Sequence, residues 1–376
     1  MLNTAGGTGV SSYAVQLQRA QAAISRSSML LTDRPTLGGE AAGFSRPGRW
    51  MRALWPGTRF ARTRAAQQGQ PFFYAADVFR IAQIYFDVHR RLLPVHLPGP
   101  PGIMHWTYPV PLTAIGWKNL YTVHDVIPLL HPELTEIDGD RYRRLLGRLQ
   151  RSAMGFIAVS GTARDEIVQT LGCAPSFVTD CGLAVEHAAT NIANLPAGIG
   201  AGQFLLICGT VERRKNVGAV LAAYGLSGIT IPLVVAGPDG WGADDVAAQI
   251  AATPGVIRLP YLDRATMLAL IGHARALVMP SLAEGFGMPV AEAMAMGVPV
   301  VTSSVGALAE TAGGAALAVD PRDIPAIASA LRRITTDDAL SAALSEAGRR
   351  NAQRFTSERF AERLTQAYAT VMAEPS

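Results

Sequence analysis

The chain has 376 residues, more than one ordinary domain and suited to two of about 150–190 residues each. Hydrophobic residues make up 49% of it and charged residues 16%, which argues against general disorder. No uninterrupted apolar run reaches ~18 residues, so no transmembrane helix is predicted. No secretory signal is predicted either. The three cysteines, Cys173, Cys181 and Cys208, lack metal-like spacing and are predicted to be reduced, cytoplasmic thiols.

Basic residues are concentrated in the first half of the chain. Residues 1–190 hold 19 basic and 13 acidic residues, and the remainder holds 14 and 16. Six arginines lie between Arg46 and Arg64, interspersed with tryptophan, methionine, leucine and phenylalanine. Anionic membrane surfaces attract this composition. The alternative is a solvated loop with a few buried aromatic residues, since Pro47 and Pro56 interrupt any long helix, and no recognised motif supports nucleic-acid binding.

The N-terminal half has an indistinct alternation of strands and helices. Residues 77–93 place apolar side chains at helical spacing, which predicts an amphipathic helix. The predicted strands that follow are 102–106, 119–125, 155–160 and 176–182. Ser160 is predicted to cap a helix. Residues 191–203 are rich in glycine and alanine and predict a linker.

The C-terminal half alternates short apolar segments with helical patterns. The predicted strands, each buried on both faces, are 204–209, 232–237, 255–262, 275–281, 298–303 and 314–320. This alternation predicts the α/β class, with a parallel sheet covered by helices. Residues 356–376 predict a terminal helix that begins at a Thr356 cap.

The strongest candidate site is the segment 284–292, which directly follows a predicted strand. Parallel sheets place ligands at the carboxyl ends of their strands. The turn residues Phe286, Gly287 and Met288 are assigned to ligand binding, because Gly287 permits close backbone approach and the next helix offers N–H groups to an anion. Glu284 and Glu292 can border one pocket and bind sugar hydroxyls. The alternative is an ordinary strand–turn–helix with a surface glutamate.

The segment PSLAEGFGMPVAEAMAMGVPVV (280–301) resembles the signature of glycosyltransferase family 4, whose members are retaining and have the GT-B fold. The hallmark is two glutamates separated by seven residues, which Glu284 and Glu292 match. The resemblance implies that Glu284 lies near the donor sugar and that Glu292 holds the donor ribose. Glu310 continues the similarity, which covers roughly residues 100–370.

This resemblance implies two Rossmann-like domains facing each other across a cleft. The expected boundaries are an N-terminal acceptor-side domain over 1–190, a linker over 191–203 and a nucleotide-sugar-binding domain over 204–355. Whether the helix over 356–376 packs back on the N-terminal domain is left open.

Three cations, Arg213, Arg214 and Lys215, follow the strand 204–209. Such a group can bind a diphosphate through charge-assisted hydrogen bonds, although a solvated basic turn is the alternative. The family commonly places an arginine and a lysine here for the donor diphosphate. Lys215 matches this pattern. Because Thr210 stands where the family often has its arginine, the second role falls to Arg214.

Two further candidates lie in the N-terminal half. His124 ends a predicted strand, and the resemblance implies that it contacts the donor sugar at the reacting centre. The alternative is a structural histidine held by Asp125. Gly7 and Gly9, in the sequence Gly-Gly-Thr-Gly, resemble the family's glycine loop near the donor diphosphate. In the family that loop follows a first strand, whereas only five residues precede the glycines here.

A metal site is not expected. Asp138 and Asp140 have the Asp-x-Asp spacing of metal-dependent glycosyltransferases of the other main fold, but their polar surroundings predict an acceptor-side loop or a helix start. No cluster of His, Cys and Asp supports a metal, and no cofactor is expected beyond the nucleotide sugar as substrate.

Together these features predict a retaining, metal-independent glycosyltransferase. It would move a hexose from a nucleotide sugar, GDP-mannose being favoured, to a polysaccharide or lipid-linked oligosaccharide. UDP-glucose and dTDP-rhamnose stay open as donors. A nucleotide-sugar epimerase, a phosphorylase and a non-catalytic partner of the same fold stay open as different functions. The expected location is cytoplasmic, with peripheral contact to the inner face of an anionic membrane left open and nucleic acid not expected as a partner.

Overall fold

The computed structural model describes residues 9–24, 28–34, 43–65, 71–185 and 195–374. Gly7 and the first part of the predicted linker lie outside these ranges. The proposed role of Gly7, and the question of a strand before the glycine loop, therefore stay predictions.

The N-terminal half consists of short strands and helices around one apolar core. Its helices are α1 (Gly9–Ile24), α2 (Arg46–Leu54), α3 (Val78–His89), α4 (Ile127–Leu130), α5 (Gly139–Gln150) and α6 (Gly161–Leu171). Its strands are β1 (Leu31–Thr32), β2 (Arg59–Phe60), β3 (Arg62–Ala65), β4 (Pro71–Tyr74), β5 (Leu93–His96), β6 (Ile103–Trp106), β7 (Leu112–Ala114), β8 (Lys118–Thr122), β9 (Gly155–Ala158) and β10 (Val178–Asp180).

The strands of this half form three sheets. Four parallel strands, in the order β10-β9-β8-β6, make the sheet that leads to the junction with the C-terminal half. A second parallel sheet has the order β2-β5-β7, and a mixed sheet has the order β1-β4-β3. Large buried side chains such as Phe86, Tyr121 and Phe156 fill the core between sheets and helices.

The predicted helix over 77–93 is too long. Helix α3 ends at His89, where Arg90 adopts the left-handed conformation (φ 53°) and its N–H closes the last turn on the carbonyl of Phe86. Strand β5 begins at Leu93; Leu93 and Val95 are buried, whereas Pro94 and His96 are not. This period of two is a strand pattern that the longer helical pattern obscured.

A short helix forms where prolines argued against a long one. Helix α2 carries Pro47 in its first turn, where the missing N–H costs nothing, and the Ser45 hydroxyl accepts from the Gly48 N–H at 3.3 Å. The helix ends at Leu54, two residues before Pro56.

The C-terminal half has the predicted alternation of strands and helices. Its strands are β11 (Leu205–Cys208), β12 (Leu233–Ala236), β13 (Val256–Leu259), β14 (Ala276–Met279), β15 (Val300–Ser303) and β16 (Leu317–Val319). Its helices are α7 (Val217–Ser227), α8 (Asp244–Ala252), α9 (Arg264–His273), α10 (Met288–Ala295), α11 (Gly306–Ala312), α12 (Ile324–Thr336), α13 (Asp338–Ala352) and α14 (Ser357–Ala373).

The six strands form one parallel sheet in the order β13-β12-β11-β14-β15-β16. Alternate side chains enter two apolar clusters, one shared with α7, α8 and α12 and the other with α9, α10 and α11. The sheet is therefore covered on both faces, as its apolar strands predict. The chain runs outwards from the sheet centre in both directions, so β11 and β14 flank the topological switch point, where such sheets bind ligands.

The last helix returns to the N-terminal half. The Thr356 hydroxyl caps α14, as predicted, by accepting from the Arg359 N–H at 3.4 Å. Tyr368 accepts from Gln21 of α1 at 2.9 Å, and Lys118 Nζ donates to the carbonyl of Val371 at 2.9 Å. Helix α14 thus links the end of the chain to the sheet and the first helix of the other half.

Candidate active site

The loops after β11 and β14 bring the predicted cations and Glu284 together. Lys215 Nζ donates to Glu284 Oε1 at 2.6 Å, and Arg214 bonds the other carboxylate oxygen. Arg214 also pairs with Glu212 at 2.6 Å. The side chains of Lys215 and Glu284 are each only 9% exposed, so this is a largely buried ion cluster with defined geometry. Arg213 is separate, because it pairs with Asp245 at 2.8 Å on the surface.

The cluster shifts the pKa values of two of its members, Glu284 and Arg214. Burial alone would raise the pKa of Glu284, but Arg214 and Lys215 outweigh it and lower that pKa to about 2. Burial works against the Arg214 charge, yet Glu284 and Glu212 raise the pKa of Arg214 above its usual value. Glu284 is thus an ionised, weakly basic carboxylate at neutral pH. Lys215 gives one N–H to it and keeps two more donors for another anion.

The second glutamate has a partner that the sequence did not reveal. Glu292 is 1% exposed, and its Oε1 accepts from Arg264 Nη2 at 2.5 Å. Arg264 begins α9, 28 residues away, and its own side chain is 43% exposed. Burial raises the pKa of Cys208 to about 12, and charges on both glutamates, Lys215 and Arg264 act on the same thiol. The two glutamates therefore belong to one electrostatic region at the end of β11.

In the turn between Glu284 and Glu292, Gly287 has different surroundings from Phe286 and Met288. Gly287 adopts the left-handed conformation (φ 96°), and an added Cβ would overlap the side chain of Leu308. The side chain of Phe286 does not enter the site; it is 5% exposed and packs edge-on against Phe355 with ring centroids 5.2 Å apart. Met288 is partly buried against the same cluster. The side chains of Phe286 and Met288 thus pack in or against a core cluster. Their backbone groups are therefore what remains for the predicted ligand contact.

His124 lies across the junction, at the end of β8. Its Nε2 is 2.9 Å from the carbonyl oxygen of Thr107. Since a carbonyl only accepts, Nε2 carries the proton in the neutral ring and Nδ1 is the acceptor. The edge of Tyr13 packs on the ring with centroids 4.9 Å apart. Burial lowers the pKa of His124 despite the opposing effects of Thr107 and Asp125, so the ring is neutral at physiological pH.

The two halves meet closely beside this histidine. A Cβ added to Gly285 would overlap the His124 carbonyl oxygen, so only glycine fits there. The Ser160 hydroxyl donates to the Gly285 carbonyl at 2.7 Å while it also caps α6, as predicted, by accepting from the Ala163 N–H at 3.0 Å. Asp125 lies close enough to Arg214 for the cation to oppose the rise that burial causes in the carboxyl pKa.

Glu310 joins the halves a second time. Its carboxylate, on α11, accepts from the N–H groups of Gly161 and Thr162 at 2.8 and 2.7 Å and from the Thr162 hydroxyl at 2.6 Å. The first turn of α6 in one half is therefore capped by a charge from the other, a placement that the helix dipole favours. No local sequence pattern signals a contact across 149 residues.

Two matched variants distinguish the Glu310 contact between the halves from an ordinary helix cap. Glu310→Ala and Asp323→Ala each remove a helix cap, and each should lower the free energy of unfolding by about 1 kcal/mol. Only Glu310→Ala should also raise the donor KM, by about tenfold, because Glu310 connects the two halves. Asp323→Ala should leave the KM unchanged, because Asp323 caps α12 within the C-terminal half. Denaturant unfolding and steady-state kinetics check both effects. Equal KM values for the two variants would show that the Glu310 contact between the halves does not affect donor binding.

A buried polar chain leads away from His124. Tyr13 and Thr122 share a hydrogen bond of 2.6 Å, Thr122 is 2.8 Å from His105 Nε2, and His105 Nδ1 is 2.7 Å from the Tyr368 hydroxyl. Burial, reinforced by the neighbouring His124, lowers the pKa of His105 to about 3. His105 is therefore a neutral link between β6 and α14.

This histidine makes stability depend on pH. Its folded pKa is depressed, so between pH 6.5 and about 3 the unfolded chain binds a proton that the folded chain does not. The contribution of His105 to the free energy of unfolding is thus fully present above pH 6.5. As the pH is lowered across that window, the free energy of unfolding decreases by up to about 1.4 kcal/mol per pH unit. His105→Gln should give a shallower dependence in urea unfolding at pH 7, 6 and 5. Parallel curves for variant and wild type would contradict this assignment.

The Asp-x-Asp segment lies at the start of α5. Asp138 caps α5 by accepting from the Arg141 N–H at 3.0 Å, which is the predicted helix start. Within the described ranges, no group of three or more His, Cys, Asp or Glu side chains could hold a metal ion. Gly9, the described member of the glycine loop, is the first residue of α1 and has open space around its Cα.

Comparisons with known proteins agree with this geometry. The sequence profile described as glycosyl transferases group 1 matches residues 199–351. O-antigen chain mannosyltransferase B of Escherichia coli is 32% identical over 269 residues, which cover 67% of this chain and 70% of that protein. The chain belongs to the glycosyl transferases group 1. Its predicted membership of a GT-B glycosyltransferase family is thereby confirmed, and the protein is a glycosyltransferase.

Two further similarities define the extent of the match. The serotype-specific mannosyltransferase WbdA of Escherichia coli is 27% identical over 254 residues, but this glycosyltransferase spans only 31% of that protein's length. Sucrose-phosphate synthase from Thermosynechococcus elongatus has a TM-score of 0.62 at 20% identity, covering 92% of this chain and 98% of that one. At that identity the likeness concerns the fold alone, and it confirms the predicted GT-B fold.

Proposed function

We propose that this glycosyltransferase transfers mannose from GDP-mannose to a growing glycan, with retention of anomeric configuration and without a metal. The observation that carries the proposal is the buried cluster of Lys215, Arg214 and Glu284 at the switch point of the sheet. Mannose is favoured over other hexoses because the relative with 32% identity is an O-antigen chain mannosyltransferase. A lipid-linked oligosaccharide is the proposed acceptor.

The cluster supplies electrostatic stabilisation for the leaving group. The donor diphosphate would lie on the remaining Lys215 donors and on the backbone turn at Gly287, with Arg214 held in line by its two glutamates. As the anomeric C–O bond breaks, its electron pair passes to the phosphate oxygen, where fixed cations stabilise the charge. The acceptor oxygen forms the new bond to the anomeric carbon, and its proton goes to the leaving phosphate.

The proposed roles of the other groups follow from their charge states. Glu284 is too weak a base to take the acceptor proton, because two cations hold its pKa low. Its role is to orient Lys215 and Arg214 beside the sugar. Neutral His124 offers Nδ1 to a sugar hydroxyl from the opposite half. Glu292, with Arg264 beside it, would hold the donor ribose.

The enzyme is also proposed to work on the cytoplasmic side of a membrane, in peripheral contact with it. No helix in the described part of the chain has the length and apolarity needed to cross a bilayer. A lipid-linked acceptor would instead be reached from the surface.

A donor panel tests this function. The protein is incubated with GDP-mannose, UDP-glucose and dTDP-rhamnose, with and without a mannose-containing glycolipid, and nucleotide release is measured. We expect GDP release from GDP-mannose that rises on adding the acceptor and is nearly lost in Glu284→Gln. Preferred release from another donor would overturn the mannosyl assignment. Conversion of a donor without any acceptor would instead indicate an epimerase.

A further inference from the structure

The segment from Phe44 to Arg64 exposes an unusual set of apolar side chains on the N-terminal half. We define the basic–aromatic face as the exposed residues Trp50, Met51, Leu54, Trp55 and Phe60 together with the arginines between 46 and 64. Met51, Trp55 and Phe60 are 71%, 73% and 69% exposed. No other stretch of similar length in the described chain exposes five large apolar residues.

These side chains are exposed on ordered structure. On the opposite side of α2, Ala53 is completely buried, and its carbonyl is 3.0 Å from His89 Nε2 of α3. Arg59 bonds the carbonyls of Gly57, Trp55 and Arg52, which ties β2 to the end of the helix. Helix α2 therefore has one face fixed to the protein and an apolar, aromatic face without a described cover.

The charge of the face has a single sign. Residues 43–65 contain six arginines and neither aspartate nor glutamate. Arg49 is anchored on the Phe44 carbonyl at 2.9 Å and lies 3.8 Å from Asp77, while Arg46, Arg52 and Arg62 are exposed. Arg52 stacks on Phe44 with its guanidinium 3.8 Å from the ring centre, which keeps the charge at the surface beside the aromatic side chains.

We propose that the basic–aromatic face docks on an anionic lipid bilayer. Arginine heads reach phosphate groups while tryptophan, leucine and phenylalanine enter the interface below them, which is how in-plane amphipathic helices bind. Charge complementarity selects this occupant, since a second copy of the chain would place the same arginines against each other. The basic–aromatic face would make the membrane contact proposed above, so this docking proposal rests on that contact. It does not depend on the identity of the donor or the acceptor.

Vesicle co-sedimentation of the full chain tests the surface without any sugar substrate. The vesicles contain phosphatidylcholine alone or with about one-third phosphatidylglycerol. We expect binding to the anionic vesicles at least tenfold tighter than to the neutral ones, and weaker as salt rises. Arg52→Glu/Arg62→Glu and Trp50→Ser/Trp55→Ser should each reduce binding about tenfold or more. The matched control Leu226→Ser/Arg350→Glu, also exposed but on the C-terminal half, should bind as wild type.

Three results would overturn the proposal: no binding to anionic vesicles, equal loss in the control variant, or a concentration-dependent dimer that the tryptophan variant abolishes. Circular dichroism establishes that each variant is folded. Nucleotide release with a water-soluble acceptor is measured in parallel. Full release without vesicle binding would sink the docking surface alone, whereas vesicle binding without any release would sink the proposed transfer alone.

Discussion

Glu284→Gln should lower kcat/KM for glycosyl transfer by about 10²–10³-fold, the scale of losing one fixed charge-stabilising group. Glutamine keeps the size of the side chain but is neutral, and its Nε2 is a donor that cannot accept from Lys215 or Arg214, so at least one cation loses its partner. The free energy of unfolding should fall by about 1–3 kcal/mol, because Lys215 keeps a largely buried charge beside a neutral partner. Steady-state kinetics and urea unfolding measure the two effects.

The control for this variant is Glu346→Gln. Glu346 pairs with Arg350 at 2.9 Å on the exposed side of α13, and such pairs contribute little. It should leave kcat/KM unchanged and alter stability by less than about 0.5 kcal/mol. Near-normal transfer by Glu284→Gln would remove Glu284 from the catalytic site.

Gly285→Ala should lower kcat/KM by about 10²-fold or more without unfolding the protein. The new methyl group would overlap the His124 carbonyl and lie 3.3 Å from Asp125 Cβ, so the two halves must separate locally. Displacing a reacting group by about 1 Å is enough for a loss of this size. Steady-state kinetics measures the loss, and thermal unfolding establishes that the variant is folded.

Gly225→Ala is the matched control for that substitution. Gly225 lies inside α7 with no atom within 4 Å of an added Cβ, so alanine should stabilise the helix by about 0.5–1 kcal/mol and leave activity unchanged. Wild-type activity in Gly285→Ala would show that the close contact between halves is not needed for transfer.

The C-terminal sheet could be predicted from the sequence because its four central strands are buried on both faces, although the edge strands β13 and β16 are only partly buried. Each predicted segment contains the observed strand, and the cation and glutamate loops follow two of them at the switch point. The helix predicted over 77–93 failed because the helix ends at His89 and Leu93 already begins strand β5, one of whose partners, β7, lies further along the chain. Local periodicity does not report such pairings.

The contacts that complete the site were not predictable for the same reason. Glu310 meets the start of α6, and Tyr368 meets His105, only after the halves have packed together. Arg264 meets Glu292 only once α9 packs beside α10 within the C-terminal half. Phe286 illustrates the reverse case, because a motif residue assigned to the ligand has its side chain in the core. Spacing identifies the loop, but packing decides which atoms of the loop face the ligand.

The sequence contains only two lysines, Lys118 and Lys215, one in each half. Labelling with [¹⁵N]lysine therefore gives two backbone amide resonances, which single substitutions assign. We expect titrated GDP to shift the Lys215 resonance to saturation and to leave the Lys118 resonance, beside α14, in place. If neither GDP nor UDP moved the Lys215 signal at millimolar concentration, the nucleotide diphosphate would not bind at the Lys215–Arg214–Glu284 cluster, and the proposed site would be wrong.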